Sequence, residues 1–500
     1  MTLSNRQKRT NLLISRAKGF WSVYKQNRKG IVGLGLIFFF ILFAFFGPML
    51  SENHPVNDWD VGGRRVPPVW FRNLPGNQHL VTNLKPIGDV GFEDSGELLA
   101  WDIITSSEDS FTIEHSMEGY KSGSGPGSIL TSLVRGDNGP ASADIKISKT
   151  FTWSFSSPPK RFRSDISYKA EGIEDASLNL RIVLVDPLGE EYVLWQKDIS
   201  SDTVWSKPEY KVDSYSIRVK MIFPEGVFAD PAQKIFNGAG DYEFYFKASF
   251  DDIDSDSEVI PRLYVDDMNI ELMGTCYGLL GTDQWGRDVY SQLAHGAKIS
   301  LLVGLLSAFI SVSIGLVVGL FAGFAGGLVD EISMRFADML LVIPFLPLLL
   351  ILIAILGQSI WNIILVISVL GWMSFSRIVR SQVLSLKERA FIEAARASGG
   401  STIHIAIRHI LPNVMGLVSV RLATSVPAAI TMEAALSFLG LGDPSIMSWG
   451  QMLHDIVYYA AIKELYWVVP PGLCIAFLAV SFVMMGFSLD ELLNPKLRSR

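Results

Sequence analysis

Three groups of residues in this 500-residue chain have types and spacings that could do chemistry. Asp252, Asp254, Asp256 and Glu258 alternate, and hard oxygen ligands at that density suit a calcium ion. The glycine and twelve-residue spacing of an EF-hand are absent, so a solvated acidic loop is the competing reading. Arg421 is the one basic residue inside a long apolar run, and Glu433 lies near the far end of the same run. An arginine so placed is either a functional residue or one that snorkels to the nearer surface. Glu433 reads either as lining a pathway mouth or as facing lipid headgroups. The third group is the charged stretch 393–412, with Glu393-Ala394-Ala395, Gly399-Gly400 and Leu411-Pro412. Two adjacent alanines leave a shallow surface that a partner groove can approach closely. Gly399 suits the left-handed cap that ends a helix. Ser401 or Thr402 can start the next helix, and Leu411-Pro412 is expected to stop it.

Other chemistries are missing from the chain. It contains no GxxxxGK[ST], no HExxH and no GxSxG, so neither a P-loop nor a zinc-protease or serine-hydrolase motif is present. The two cysteines, Cys276 and Cys474, lie far apart and form no CxxC. The expectation is a non-catalytic protein with no cofactor, no metal centre and no disulfide.

The elements that position these residues fall into two materials. Residues 51–275 hold 37 acidic side chains against 21 basic ones, while the remainder holds 13 acidic and 22 basic. Outside that acidic block the chain offers six apolar runs, at 30–50, 301–324, 339–356, 359–375, 414–432 and 466–487. About 18 apolar residues suffice to cross a bilayer. Eight basic residues and no acid precede the first run, which puts residues 1–29 in the cytoplasm. Six spans then return the C-terminus to the same side and place 393–412 in the cytoplasm between the fourth and fifth. A nucleic-acid role for the helix–turn–helix at 393–412 does not fit that position. Residues 51–277 are left outside. From about residue 145 they alternate as short strands, at 149–155, 178–186, 191–198, 215–223, 242–250 and 262–272, with Asp186-Pro187-Leu188-Gly189 as a hairpin turn. This is the pattern of an all-β sandwich. Trp153, Trp195, Trp205 and Tyr210 serve either as core aromatics or as sugar-stacking faces. Thr282 and Asp283 are expected to open an amphipathic helix carrying Trp285, Val289 and Leu293 on one face.

Several segments are similar to one family. The stretch 393–412 resembles the EAA loop of binding-protein-dependent ABC importers. Gly281-Thr282-Asp283-Gln284-Trp285-Gly286-Arg287-Asp288, His409-Ile410-Leu411-Pro412-Asn413, residues 433–442, Trp449-Gly450 and the tail 494–498 resemble the peptide/nickel class of permeases. The sequence 263–272 loosely resembles the last strand of carbohydrate-binding jelly rolls. The resemblance implies a polytopic α-helical membrane protein with six transmembrane helices of the type I ABC importer kind. Into it is inserted an extracytoplasmic, jelly-roll-like all-β domain at 51–277. The permease core would be 278–500, with its coupling loop at 376–412. Glu393, Ala394, Ala395, Gly399, Leu411 and Pro412 would contact the ATPase, and Arg421 and Glu433 would lie on the pathway. The implied partners are a second permease subunit, two ATP-binding subunits, an extracytoplasmic substrate-binding protein and the lipid bilayer. Peptides are the implied cargo, with oligosaccharides also carried by relatives. A membrane-anchored carbohydrate-binding receptor is the alternative reading.

Overall fold

A computed structural model describes residues 19, 21–90, 92, 95–106, 110–120, 127–134, 142–174, 176–253 and 259–493. Asp254, Asp256 and Glu258, and the tail 494–498, lie outside the described residues. Asp252 itself has a left-handed φ of 53° and accepts a hydrogen bond from Ser177 Oγ at 3.2 Å. The chain divides into two compact units, Asp60–Arg287 and Met1–Trp59 with Asp288–Arg500.

The first of these units is built on eleven antiparallel strands among its described residues. They are β1 (Leu84–Val90), β2 (Asp102–Thr105), β3 (Phe111–Ser116), β4 (Ser128–Leu133), β5 (Ala143–Trp153), β6 (Arg161–Glu171), β7 (Ser177–Val185), β8 (Glu191–Ile199), β9 (Val212–Asp213), β10 (Gly240–Asp251) and β11 (Arg262–Met273). One sheet runs β3-β4-β11-β6-β9, with β1 also pairing β11, and the other runs β2-β5-β10-β7-β8. Alternate residues of both sheets share one apolar core, including Ile145 and Ile147 of β5, Phe244 and Phe246 of β10, and Phe162 and Ile166 of β6. Period-2 side-chain placement makes that sharing possible. The hairpin at Asp186 forms as its sequence indicates. The Asp186 carboxylate accepts from the backbone N–H of Leu188 and Glu190 at 2.9 Å each, and Gly189 takes a φ of 86°.

Two expectations for this unit need correction, and the core reading of two tryptophans is borne out. Residues 215–223 are not a strand. The Asp213 carboxylate accepts from the N–H groups of Tyr215 and Ser216 at 2.8 Å each and turns the chain into a short helix, Ile217–Lys220. Val219 and Phe223 are then buried at helical spacing while Ile217 and Met221 face outward. Trp153 and Trp195 cannot stack on a sugar, because both are fully buried in the core. Thr282 does not open a helix. Its Oγ accepts from Val66 N–H at 3.1 Å, within a turn where the Asp283 carboxylate binds the N–H groups of Trp285 and Arg287 and the Arg287 guanidinium at 2.6 Å. That turn closes the unit on itself. The N–H groups of Asp60, Val61 and Arg65 donate to the carbonyls of Trp285, Gly286 and Asp283 at 3.0, 3.0 and 2.9 Å, so the incoming and outgoing segments are paired.

The second unit is helical. Its helices are α1 (Arg28–Phe46), α2 (Val289–Ala325), α3 (Gly327–Val342), α4 (Phe345–Leu356), α5 (Ile360–Gly371), α6 (Met373–Lys387), α7 (Ala390–Ala397), α8 (Thr402–Ile405), α9 (Leu411–Leu436), α10 (Trp449–Tyr458) and α11 (Leu465–Leu493). Asp288, rather than Thr282, caps α2 by accepting from Tyr290 N–H at 3.0 Å. Burial pushes the Asp288 carboxyl above its usual range, against the hydrogen bonds that favour its charge.

Among the described residues, five helical stretches are long and apolar enough to cross a membrane, or six if the bent pair α3–α4 counts as one. The expected span 339–356 is not one continuous helix. The chain bends by 91° between α3 and α4. Pro344 causes this, because a residue before proline is driven out of the helical region, and Ile343 has a ψ of 130°.

Small residues set how closely the helices pack. Gly315, Gly319 and Gly323 of α2 lie four apart and face α6. A Cβ on Gly319 would sit 2.5 Å from the Ser376 carbonyl oxygen and 2.7 Å from Val379 Cβ. This is the small-residue stripe that lets membrane helix backbones approach. Gly319→Ala is expected to destabilise the helical unit by about 1–3 kcal/mol, the range for overpacking a tight contact. Gly35→Ala, where a Cβ meets nothing within 4 Å, is expected to be neutral. Thermal unfolding of both variants in detergent checks this, and equal midpoints would refute it.

Candidate coupling loop and membrane cavity

The loop begins where α6 ends. The run 384–397, though made largely of good helix formers, is not one helix but breaks at Glu388–Arg389, and Arg389 with a ψ of 140° restarts it as α7. On α7, Ile392 is buried and Ala395 half-buried, while Glu393, Ala394, Arg396 and Ala397 face solvent. The helix ends in a complete Schellman motif. Gly399 N–H donates to the Arg396 carbonyl at 2.9 Å, Gly400 N–H donates to the Ala395 carbonyl at 3.1 Å, and Gly399 has a φ of 81°. Ser401 then caps α8 by accepting from His404 N–H at 3.3 Å. Ile392 and Ile405 anchor both sides of this turn in a cluster with Phe324, Val379, Val383, Ile410 and Val414. The turn is thus fixed from below and presents Phe391, Ile403 and Ile407 to solvent beside Glu393 and Ala394.

Leu411-Pro412 does not stop the second helix, which corrects that expectation. A π-turn at Ala406–Ile410 intervenes, and Leu411 N–H bonds the Ala406 carbonyl five residues back. The wider turn accommodates the proline, which lacks an N–H, and the helix continues into α9. Leu411 is half-buried and Pro412 exposed.

Ion pairs that no local pattern reveals hold the base of the loop. Both Arg380 guanidinium nitrogens Nε and Nη2 bind the two Asp330 oxygens of α3, the second at 2.6 Å. Arg377 meets Asp338 at 3.2 Å. Lys387 Nζ donates to the Phe324 carbonyl at the end of α2 at 3.2 Å, and the Arg396 guanidinium lies 5.7 Å from the Phe324 ring centre. The loop is thereby tied to α2 and α3 as well as to its own helices.

Arg421 and Glu433 share α9 but are not brought together. Arg421 lines a cavity of about 130 Å³ with Ser307 and Ser311 of α2 and with Phe345, Thr424 and Ser425. Glu433 is fully buried, accepts from Ser437 Oγ at 2.7 Å and faces the Ser448 hydroxyl. It does not face headgroups, which closes one of its two readings. The segments 433–442 and 449–450, separate in sequence, pack against one another. A Cβ on Gly450 would lie 2.7 Å from Ala434 Cα.

The unit is thus a bundle of helices long and apolar enough to cross a membrane, with a pinned turn at Gly399 that faces solvent. Residues 315–499 match the family described as the inner membrane component of binding-protein-dependent transport systems, and residues 15–68 match the N-terminal transmembrane domain of oligopeptide transport permease C. The chain is 38% identical over 219 residues to the dipeptide transport system permease protein DppC of Bacillus subtilis (strain 168), covering 44% of this chain and 68% of that one. It is 41% identical over 222 residues to OppC of Haemophilus influenzae, covering 44% and 71%. With OppC of Escherichia coli (strain K12) it is 44% identical over 217 residues, covering 43% and 72%. The chain belongs to this family and is a permease subunit of a binding-protein-dependent importer. A carbohydrate-binding module solved with beta-1,4-galactotriose covers 37% of this chain and 97% of its own, at 12% identity and a TM-score of 0.23, a likeness too low to carry an argument.

Proposed function

We propose that this chain is one half of a permease heterodimer in an ATP-driven peptide importer. Two ATP-binding subunits dock at the cytoplasmic face, and an extracytoplasmic binding protein delivers the solute. The observation that carries this reading is the turn at Gly399. It holds α7 and α8 at a fixed angle, with exposed Glu393, Ala394, Phe391 and Ile403 on the outer face. A rigid lever of this kind transmits the closure of an ATPase pair into the bundle. Ala395 and Leu411, both half-buried, form the inner edge of that lever, and Pro412 is exposed.

Counting α3–α4 as one span gives six, with α7 and α8 on the cytoplasmic side. The basic residues Arg377, Arg380, Lys387, Arg389, Arg396 and Arg408 around the loop support that orientation. At about 1.5 Å per residue, α2 is about 55 Å long, well beyond the roughly 30 Å of hydrocarbon, so one end projects into water. The Asp60–Arg287 unit then lies outside the membrane as a jelly-roll-like sandwich. Peptides are the proposed cargo because the relatives are named for dipeptides and oligopeptides.

The test is uptake by proteoliposomes that contain this chain, its partner permease and both ATPases, with the peptide-loaded binding protein outside. The expected result is accumulation of labelled peptide that requires ATP and every subunit. ATP turnover without peptide accumulation, across a panel of peptides that the binding protein holds, would overturn the peptide reading.

A further inference from the structure

The cavity beside Arg421 differs chemically from the rest of the helical unit. Arg421, Thr424 and Ser425 lie at i, i+3 and i+4 on one face of α9, and Ser307 and Ser311 lie at i, i+4 on α2. Polar groups therefore converge from two helices on one space, with Phe345 and Met432 closing its apolar side. Two of them are unspent. Arg421 Nε and Ser307 Oγ are buried without a hydrogen-bond partner. Among the described residues no carboxylate pairs with Arg421. The Thr424 hydroxyl donates back to its own helix, to the carbonyls of Val420 and Arg421 at 3.2 and 3.1 Å, and so keeps its acceptor side free. A guanidinium in a membrane-spanning helix is costly, and one left without a counter-charge calls for a ligand.

We infer that this cavity is a carboxylate-binding station for the transported solute. The inference rests on the transport reading above and adds the chemical group that is recognised. The guanidinium fork matches a carboxylate, and the Ser307 and Ser425 hydroxyls supply further donors. The cavity volume of about 130 Å³ admits the carboxylate end of a solute and not the whole of it. Pockets for complete small ligands run to roughly 300–1,000 Å³. The station therefore reads one end of a peptide and is indifferent to its length and side chains. An asymmetric permease pair needs only one such residue to orient its cargo.

Two measurements on the assembled transporter decide the matter. First, Ser425→Cys is labelled with sulfonatoethyl and with trimethylammonioethyl methanethiosulfonate, above the background of the unsubstituted chain. The anionic-to-cationic rate ratio is expected to fall about tenfold when Arg421→Gln is added. Arg421→Lys, which keeps the charge, is expected to retain the ratio. An unchanged ratio in Arg421→Gln overturns the station. Second, uptake of a peptide and of its C-terminally amidated analogue is compared at saturating binding protein. Arg421→Gln is expected to lower uptake of the free acid about tenfold or more and to leave the amide within about twofold. Equal losses for both would assign Arg421 a structural role and overturn the inference. If the unsubstituted assembly carries neither form, the peptide reading fails, and the labelling ratio alone decides for or against the anion station.

Discussion

Gly399→Val is expected to lower ATP-driven uptake about tenfold or more while leaving the chain folded. Gly399 has a φ of 81°, and a Cβ there would meet nothing within 4 Å. The cost of valine is therefore purely conformational. A β-branched residue in the left-handed region is an outlier, worth about 1–3 kcal/mol of strain. The bundle has no reason to unfold, because Ile392 and Ile405 anchor the loop on either side. Strain is instead relieved by rotating α7 against α8, which spoils the docking face. A loss of 1.4 kcal/mol in docking is about a tenfold loss in affinity. Asparagine tolerates the left-handed region, so Gly399→Asn is expected to keep most of the uptake. Parallel assays of uptake and ATP hydrolysis check both variants. A valine variant that transports like the unsubstituted chain would remove the turn from the coupling mechanism.

Arg161→Ala is expected to destabilise the two-sheet unit by about 3–5 kcal/mol, the range for breaking a buried ion pair. Arg161 is 2% exposed and is held between two carboxylates, with Nη2 2.6 Å from Asp213 and Nη1 against Asp60. The Tyr215 ring lies 4.7 Å from its guanidinium carbon. Truncation leaves the buried Asp213 without a counter-charge and leaves Asp60 to Arg64, whose Nε lies 3.5 Å away. Hydrogen exchange on the intact chain reads the effect. Amides of β6 and β11 are expected to exchange about a hundredfold or more faster, with the helical unit unchanged. Arg161→Met combined with Asp213→Asn, which removes the orphaned charge but keeps an oxygen for the Tyr215 and Ser216 N–H groups, is expected to recover part of the loss. Exchange rates within a few-fold of the unsubstituted chain would show that the pair contributes little.

Features written in local sequence were legible. The apolar runs, the Asp186 hairpin, the left-handed Gly399 and the Ser401 cap each depend on a few neighbouring residues. Features that depend on distant partners were not. Asp330 and Asp338 lie in the segment after the second apolar run, where Arg335 is the one basic residue close to them in sequence. The structure pairs them with Arg380 and Arg377, which lie about 40 to 50 residues further on. The strand β6 went unread because Ser164 interrupts its inward row of Phe162, Ile166, Tyr168 and Ala170, and charges flank it. Residues 215–223 alternated like a strand, but Asp213 turned them into a helix. The π-turn before Pro412 has no residue signature, and only the continuing helix reveals it. The turn at Gly399 was thus visible from its glycines. The cavity around Arg421 was not, because Ser307 and Ser311 lie more than a hundred residues from the arginine they face.

The paired segments at Asp60–Arg65 and Asp283–Gly286 have a consequence for how this chain tolerates its own size. Joining the two ends of a flexible loop of about 230 residues would carry a closure entropy of about 5 kcal/mol. Here the closure is made inside the folded unit, by backbone hydrogen bonds between its first and last segments. To the helices on either side, the whole of Asp60–Arg287 behaves as a short connection. A unit closed in this way can change in length between those two segments without adding to that closure cost.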